Sequence, residues 1–261
     1  MKIVCCPTLS RDLDFEGNFC RMEEQAKVAA AQGADLALFG EAYLQGFGGM
    51  SFDYKTDIPN AYAQNNEEIA QVRNLAKHLG IALGFGFFEN HQGGVYSAYL
   101  ILDKDGETVD LFRRVSVGWK EEKGFLNPDY REGLGFHSFK FQGKRFATMI
   151  CGDFWENHLI SQIIELDDEV DAFFWPVHCD YDPQFWEAGE REEYRERGEI
   201  LAKPVLFINN YRDPETEEKA PESKEAAEMP SYAQGGAYVW QQGKTLAALE
   251  MKRKGILLFE L

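Results

Sequence analysis

The stretch RFATMICGDFWEN, Arg145–Asn157, decides how the rest of the chain is read. An apolar, strand-like run ends abruptly on Cys151, turns through Gly152 and becomes acidic and polar. A buried structural thiol needs no such setting. A nucleophile does, because reactive groups are delivered where a rigid strand meets an open loop. Gly152 and the helix start behind it add oriented backbone N–H groups, which lower a thiol's pKa and can bind a substrate oxygen.

Two other apolar runs end in the same way. LALFGEAY leads to Glu41, and VDLFRRVSVGWKEE places Arg114 and Lys120 after a strand. A carboxylate, a cation and a thiol are the parts needed to attack an amide or nitrile carbon. The base takes the thiol proton, the thiolate attacks, and the cation with a backbone N–H holds the developing negative charge.

Working outward, apolar runs alternate with amphipathic ones. MKIVCCPTL reads as a strand, NFCRMEEQAKVAAAQGA as a helix stopped near Gly33, and NEEIAQVRNLAKHLG as a helix ending at Gly80. IALGFGFFEN is a strand. VYSAYLILDKDGETVDLFRRVSV is a hairpin about Asp-Gly, and GFHSFKFQGKRFATMIC repeats that pattern about Gln142-Gly143. NHLISQIIELDD reads as a helix, VDAFFWPVH as a strand, FWEAGEREEYRERGEILAK as one long charged helix, and PVLFINNY as a strand. Further strands follow from Gly235 to Leu261. Helices alternating with strands and hairpins imply one domain over 1–261, a layered sandwich of mixed sheets with helices outside. The polar, proline-bearing stretch 212–230 reads as a loop, or as a lid over a pocket.

The bulk properties narrow the function. A formal net charge of −17 repels phosphate backbones and acidic membranes, so neither nucleic acid nor a membrane is an expected partner. No apolar run approaches the ~20 residues of a membrane span. Five cysteines without repeated spacing, and no export signal, lead us to expect a reducing cytoplasm. Other motifs fail. QGKT lacks the upstream glycine of a phosphate loop, GFGFFE lacks the third glycine of a dinucleotide fingerprint, and no Gly-x-Ser-x-Gly elbow occurs. His178, Cys179 and Asp180 lack a spaced second ligand pair for a metal.

These segments together resemble the nitrilase superfamily of carbon–nitrogen hydrolases, whose catalytic set is Glu, Lys and Cys. GADLALFGEAYLQGF is similar to the glutamate motif, and MICGDFWEN to the cysteine motif of Ile-Cys, a variable residue and Asp. VYSAYLILDKDGETVDLFRR resembles the hairpin before the lysine motif, and GEILAKPVLFINNY and GGAYVWQQGKTLAAL the later elements. The resemblance implies a four-layer α-β-β-α sandwich, two mixed sheets flanked by helices. It implies Glu41 as general base, Cys151 as a nucleophile that forms a thioester, and no need of cofactor or metal. It also implies a homodimer whose contact includes the segment after Cys151.

One departure stands out. Arg114 occupies the place of the family lysine, and arginine is a poor proton donor. Lys120 is the nearest lysine downstream, and we expect it to take the lysine's role, with Arg114 supporting it or binding substrate. Arg114 as the sole cation is the alternative. Glu122, or its neighbour Glu121, stands where some members carry a second pocket glutamate. Tyr43, Gly152, Trp155, Asp180 and Tyr181 are expected around the substrate. The expected reaction is hydrolysis of a small amide. A nitrilase, an N-carbamoyl hydrolase, or a weakly catalytic binding protein on the same fold stays open.

Overall fold

The computed structural model describes residues 1–122, 125–181, 183–212 and 233–261. The apolar runs form fourteen strands among these residues: β1 (Lys2–Cys5), β2 (Leu36–Leu38), β3 (Ala82–His91), β4 (Gly94–Leu102), β5 (Thr108–Arg113), β6 (Glu121–Glu122), β7 (Phe125–Leu126), β8 (Ser138–Phe141), β9 (Lys144–Thr148), β10 (Ala172–Val177), β11 (Val205–Asn209), β12 (Ala237–Gln241), β13 (Lys244–Leu249) and β14 (Leu257–Glu260). The helices are α1 (Phe15–Ala31), α2 (Tyr54–Asp57), α3 (Glu67–Leu79), α4 (Ile160–Asp167), α5 (Pro183–Phe185) and α6 (Arg191–Gly198). Local chemistry sets their limits. Asp14 caps α1 by accepting from Gly17 N–H at 3.0 Å. Gln142 and Gly143, with φ of 46° and 80°, make the tight β8–β9 turn.

Twelve strands build two sheets, ordered β14-β1-β2-β3-β4-β5 and β13-β12-β11-β10-β9-β8. Each has three parallel strands, β1–β2–β3 in one and β9–β10–β11 in the other, with antiparallel strands to the sides. The inner faces pack Ile3, Leu38 and Ile101 against Phe146, Phe174 and Leu206. Helices α1 and α3 cover the first sheet through Met22, Ala26, Ile69 and Val72. Helices α4 and α6 cover the second through Ile163 and Tyr194, around Trp175 and Phe207. This is the expected α-β-β-α sandwich. No helix among the described residues is long and apolar enough to cross a membrane.

One expectation needs adjustment. The single charged helix from Phe185 to Lys203 is broken: α5 is followed by a wide π-type turn over Trp186–Glu190, then α6. Burial of Trp186, whose indole N–H donates to Tyr238 Oη at 3.0 Å, overrides local helix propensity there. The chain leaves the helix at Gly198, and the N–H groups of Ala202 and Lys203 donate to Asp167 instead. Of the loop or lid at 212–230, residues 213–230 lie outside the described residues.

The parallel strands direct the site. Strand β2 runs on to Glu41, β9 to Cys151, β10 to His178 and β11 to Asn210. Chemistry in sheets of parallel strands gathers beyond their carboxyl ends.

Candidate active site

Glu41 is buried, and four groups hold it. Its Oε1 accepts from Arg114 Nη1 at 2.9 Å and Ser97 Oγ at 3.1 Å. Its Oε2 accepts from the backbone N–H of His178 at 3.2 Å. Asn210 grips the main chain there, Nδ2 donating to Glu41 O at 2.6 Å and Oδ1 accepting from Gly40 N–H at 3.1 Å. Strand β3 passes so close that a Cβ on Gly86 would lie 2.4 Å from Ala42 N.

Arg114 follows β5. Its backbone N–H donates to Ser97 O at 2.8 Å and its Nε to Ser116 Oγ at 2.7 Å. Burial works against the guanidinium charge, but Glu41, Cys151 and Asp153 outweigh it and raise the pKa. The group therefore stays charged inside the protein.

Cys151 sits two residues beyond Met149 with φ of 45°, a left-handed conformation that a side chain adopts only under constraint. The constraint is visible. Asp153, fully buried, accepts from Ile150 N–H at 2.8 Å, Val115 N–H at 2.9 Å and Ser116 N–H at 2.7 Å. Trp175 Nε1 donates to Cys151 O at 3.0 Å. The thiol donates to His178 O at 3.8 Å. Gly152 leaves room for the cation, since a Cβ there would lie 2.3 Å from Arg114 Nη2.

The sequence expected a lowered thiol pKa; the structure has it pushed up to about 12. Burial is the largest cause and the Glu41 charge adds to it, while Arg114 opposes both. Residues Cys151–Phe154 form one 3-10 turn, too short to supply a substantial dipole. The proton thus rests on sulfur until a base removes it.

Lys120 stands elsewhere. Its buried ammonium donates to Tyr130 O at 2.5 Å and pairs with Glu132 at 2.6 Å. The cation in contact with Glu41 is Arg114. Tyr43 is also displaced from its expected role: it is fully buried in the core under α1, packed on Phe39, with its hydroxyl donating to Asn18 O at 3.1 Å. Trp155 packs on the outer layer, against Tyr194 and Arg197. Asp180 lies 3.2 Å from His178 Nε2, and Tyr181 packs between Trp186 and Tyr194. The side chains of Glu121 and Glu122 lie outside the described residues.

Sequence reading missed the supports: Ser97, Ser116, Asn210 and the backbone of His178. Asp153 was visible only as a motif letter, and the paired asparagines of FINNY were the one further signal.

The family model described as carbon-nitrogen hydrolase matches residues 3–168, well over half of the sequence. The chain belongs to the carbon–nitrogen hydrolase family. Among relatives of this carbon–nitrogen hydrolase, the N-carbamoylputrescine amidase of Arabidopsis thaliana is 25% identical over 206 residues, covering 76% of this chain and 67% of that protein. The corresponding amidase of Solanum tuberosum is 25% identical over 206 residues, covering 76% and 66%. The chain spans about two thirds of the length of these relatives. An amidase from Nesterenkonia sp. superposes with a TM-score of 0.74 at 18% identity, covering 100% of this chain and 90% of that one. That likeness is one of fold, and it matches the two flanked sheets described above.

Proposed function

We propose that this hydrolase cleaves the C–N bond of a small amide through a thioester at Cys151. The observation that carries the reading is the buried Glu41–Arg114 pair beside the partly exposed Cys151, with both charges acting on its thiol. Glu41 takes the thiol proton as sulfur attacks the carbonyl carbon. The Arg114 charge and the backbone N–H groups about Gly152 hold the oxyanion. Arginine does not give up a proton, so Glu41 must also protonate the departing nitrogen. The C–N bond breaks and ammonia or an amine leaves. Water then loses a proton to Glu41, attacks the thioester and releases the acid, and the proton returns to sulfur.

In this reading Arg114 fills the lysine's place, and Lys120 props the neighbouring loop through Tyr130 and Glu132. Asp180, Tyr181 and Glu122 are proposed as substrate contacts. A second reading, hydrolysis of an N-carbamoyl amine, is favoured by the plant relatives named above. Each assay follows ammonia release from an amide or N-carbamoyl panel. Mass spectrometry then looks for an acyl adduct on the parent chain and not on Cys151→Ala. Turnover that survives Cys151→Ala overturns the proposal. We also propose pairing into a homodimer through the face bearing Trp155 and Ile164, both exposed in the single chain; a monomeric mass in solution would refute it.

A further inference from the structure

The chain carries 44 acidic residues against 27 basic ones, yet three consecutive cations, Lys252, Arg253 and Lys254, stand together between β13 and β14. None of the three is in an ion pair among the described residues. All three line one cavity of about 570 Å³, a size that holds small organic ligands. Glu41, Arg114 and Cys151 do not line it. Main-chain bonds build its floor. Leu9 and Gln234 bridge to Tyr211, Ser10 N–H donates to Tyr211 O at 2.8 Å, and Lys252 N–H donates to Gln234 O at 2.8 Å. One face of α1 forms a wall, with Arg21 and Glu24 about a turn apart. The basic turn is thus anchored to the cavity by its own backbone.

The lining restricts the ligand. Arg21 is already committed, with Nη2 at 3.1 Å from Asp14 Oδ2 and Nε donating to Leu9 O at 3.0 Å. Glu24 is the one carboxylate among the lining residues. Three uncommitted cations facing one carboxylate suit a compact group with more than one negative charge. A phosphate monoester carries a charge of about −1.5 to −2 at neutral pH and three acceptor oxygens. Arginine's fork of donors matches those oxygens, and lysines add point charges. A single carboxylate would leave positive charge in excess. The cavity exceeds what a bare phosphate fills, and Pro7, Leu9 and Tyr211 offer an apolar floor for an organic body. The net charge of −17 does not decide against this site. Exposed charges beyond about 8 Å are largely screened at physiological salt, so the nearby cations dominate.

We propose that the cavity between α1 and the Lys252–Lys254 turn binds a small phosphate monoester. Calorimetric titration of the full chain compares ribose 5-phosphate with ribose, inorganic phosphate and citrate. Ribose 5-phosphate is expected to bind, ribose to give no heat, and inorganic phosphate and citrate to bind at least ~10-fold more weakly. Arg253→Gln and Lys254→Gln should each weaken ribose 5-phosphate about 3- to 10-fold, between the range of exposed charge pairs and that of hydrogen bonds to charged groups. Glu24→Gln should tighten it by a similar factor. All three side chains are exposed, so the variants should keep the parent's melting transition.

Failure of ribose 5-phosphate to bind overturns the proposal. So does an affinity unchanged when Arg253→Gln and Lys254→Gln are combined, or ribose, inorganic phosphate or citrate binding as tightly as the ester. The cavity shares no residue with the thiol chemistry proposed above. A chain that binds the ester in this pattern yet releases no ammonia from any amide refutes the hydrolysis reading and leaves this site standing.

Discussion

Arg114 Nη1 lies 2.9 Å from Glu41 Oε1, with the two side chains 5% and 1% exposed. A buried pair of this kind adds little net stability, yet breaking it by removing one partner costs about 3–5 kcal/mol, because the other charge is left uncompensated. Arg114→Met should therefore destabilise the fold by about that amount and lower turnover at least ~100-fold. Arg114→Lys keeps a charge, loses the Ser116 bond and should fall between. Lys120→Met should act mainly on the melting temperature. Denaturant unfolding and ammonia release, run on all three, check the assignment; loss of turnover in a well-folded Lys120→Met with Arg114→Met still active would reverse it.

In the proposed reaction Glu41 has opposite effects on the thiol and on turnover. Its charge holds the Cys151 pKa up, so Glu41→Gln should shift that pKa down from about 12. Alkylation of Cys151 by iodoacetamide, followed against pH, should level off at lower pH in Glu41→Gln than in the parent. Amide turnover should meanwhile fall by at least ~100-fold, the scale of a lost general base. Stability has its own pH signature. An unfolded thiol loses its proton near 9.0, whereas the folded one keeps it to about 12, so this group's contribution to stability is lost as pH rises through that window.

Asp153 and Asn210 never touch the reaction in this scheme, but they fix its geometry. Asp153→Ala strips the partners from three backbone N–H groups, each costing about 1–3 kcal/mol when buried and unsatisfied. Unfolding at room temperature or a molten state is the expected result. Asn210→Ala leaves Gly40 N–H and Glu41 O without partners and should cost about 2–4 kcal/mol, with kcat falling more than KM rises. A change in KM alone would mean that Asn210 does not position the acid.

Gly152 should tolerate no side chain while Arg114 is present. Gly152→Ala forces the guanidinium away from a Cβ that would otherwise stand 2.3 Å from Nη2, and turnover should drop at least ~10-fold. Combined with Arg114→Lys, the same substitution should cost less than it does alone, giving a measurable coupling in a double-mutant cycle.

The apolar runs into Glu41 and Cys151 were legible because a strand that stops on a charged or reactive residue breaks its own pattern. The Asp-Gly and Gln-Gly hairpins were legible through local turn chemistry. The supports were not. Ser97, Ser116 and Asn210 are ordinary polar residues in sequence, and Glu41 meets Ser97 across 56 positions and Asn210 across 169. Tyr43 looked like a pocket residue because it follows Glu41 by two, but its ring turns to the α1 side of the sheet. The thiol pKa was misjudged for a related reason: a short turn suggested a dipole, while the burial and the carboxylate that dominate come from other strands.

Glu41 and Arg114 ride on one sheet and Cys151 on the other, while Asn210 reaches across from the second to clasp the first. The hydrocarbon between the sheets, with Phe146 and Phe174 stacked at 4.8 Å, therefore works as a spacer that sets how far sulfur stands from the acid. Thinning that layer with a single Phe174→Ala change would let the sheets shear or settle. Catalysis, which responds to misplacement on the scale of an ångström, should then fade well before the molecule unfolds.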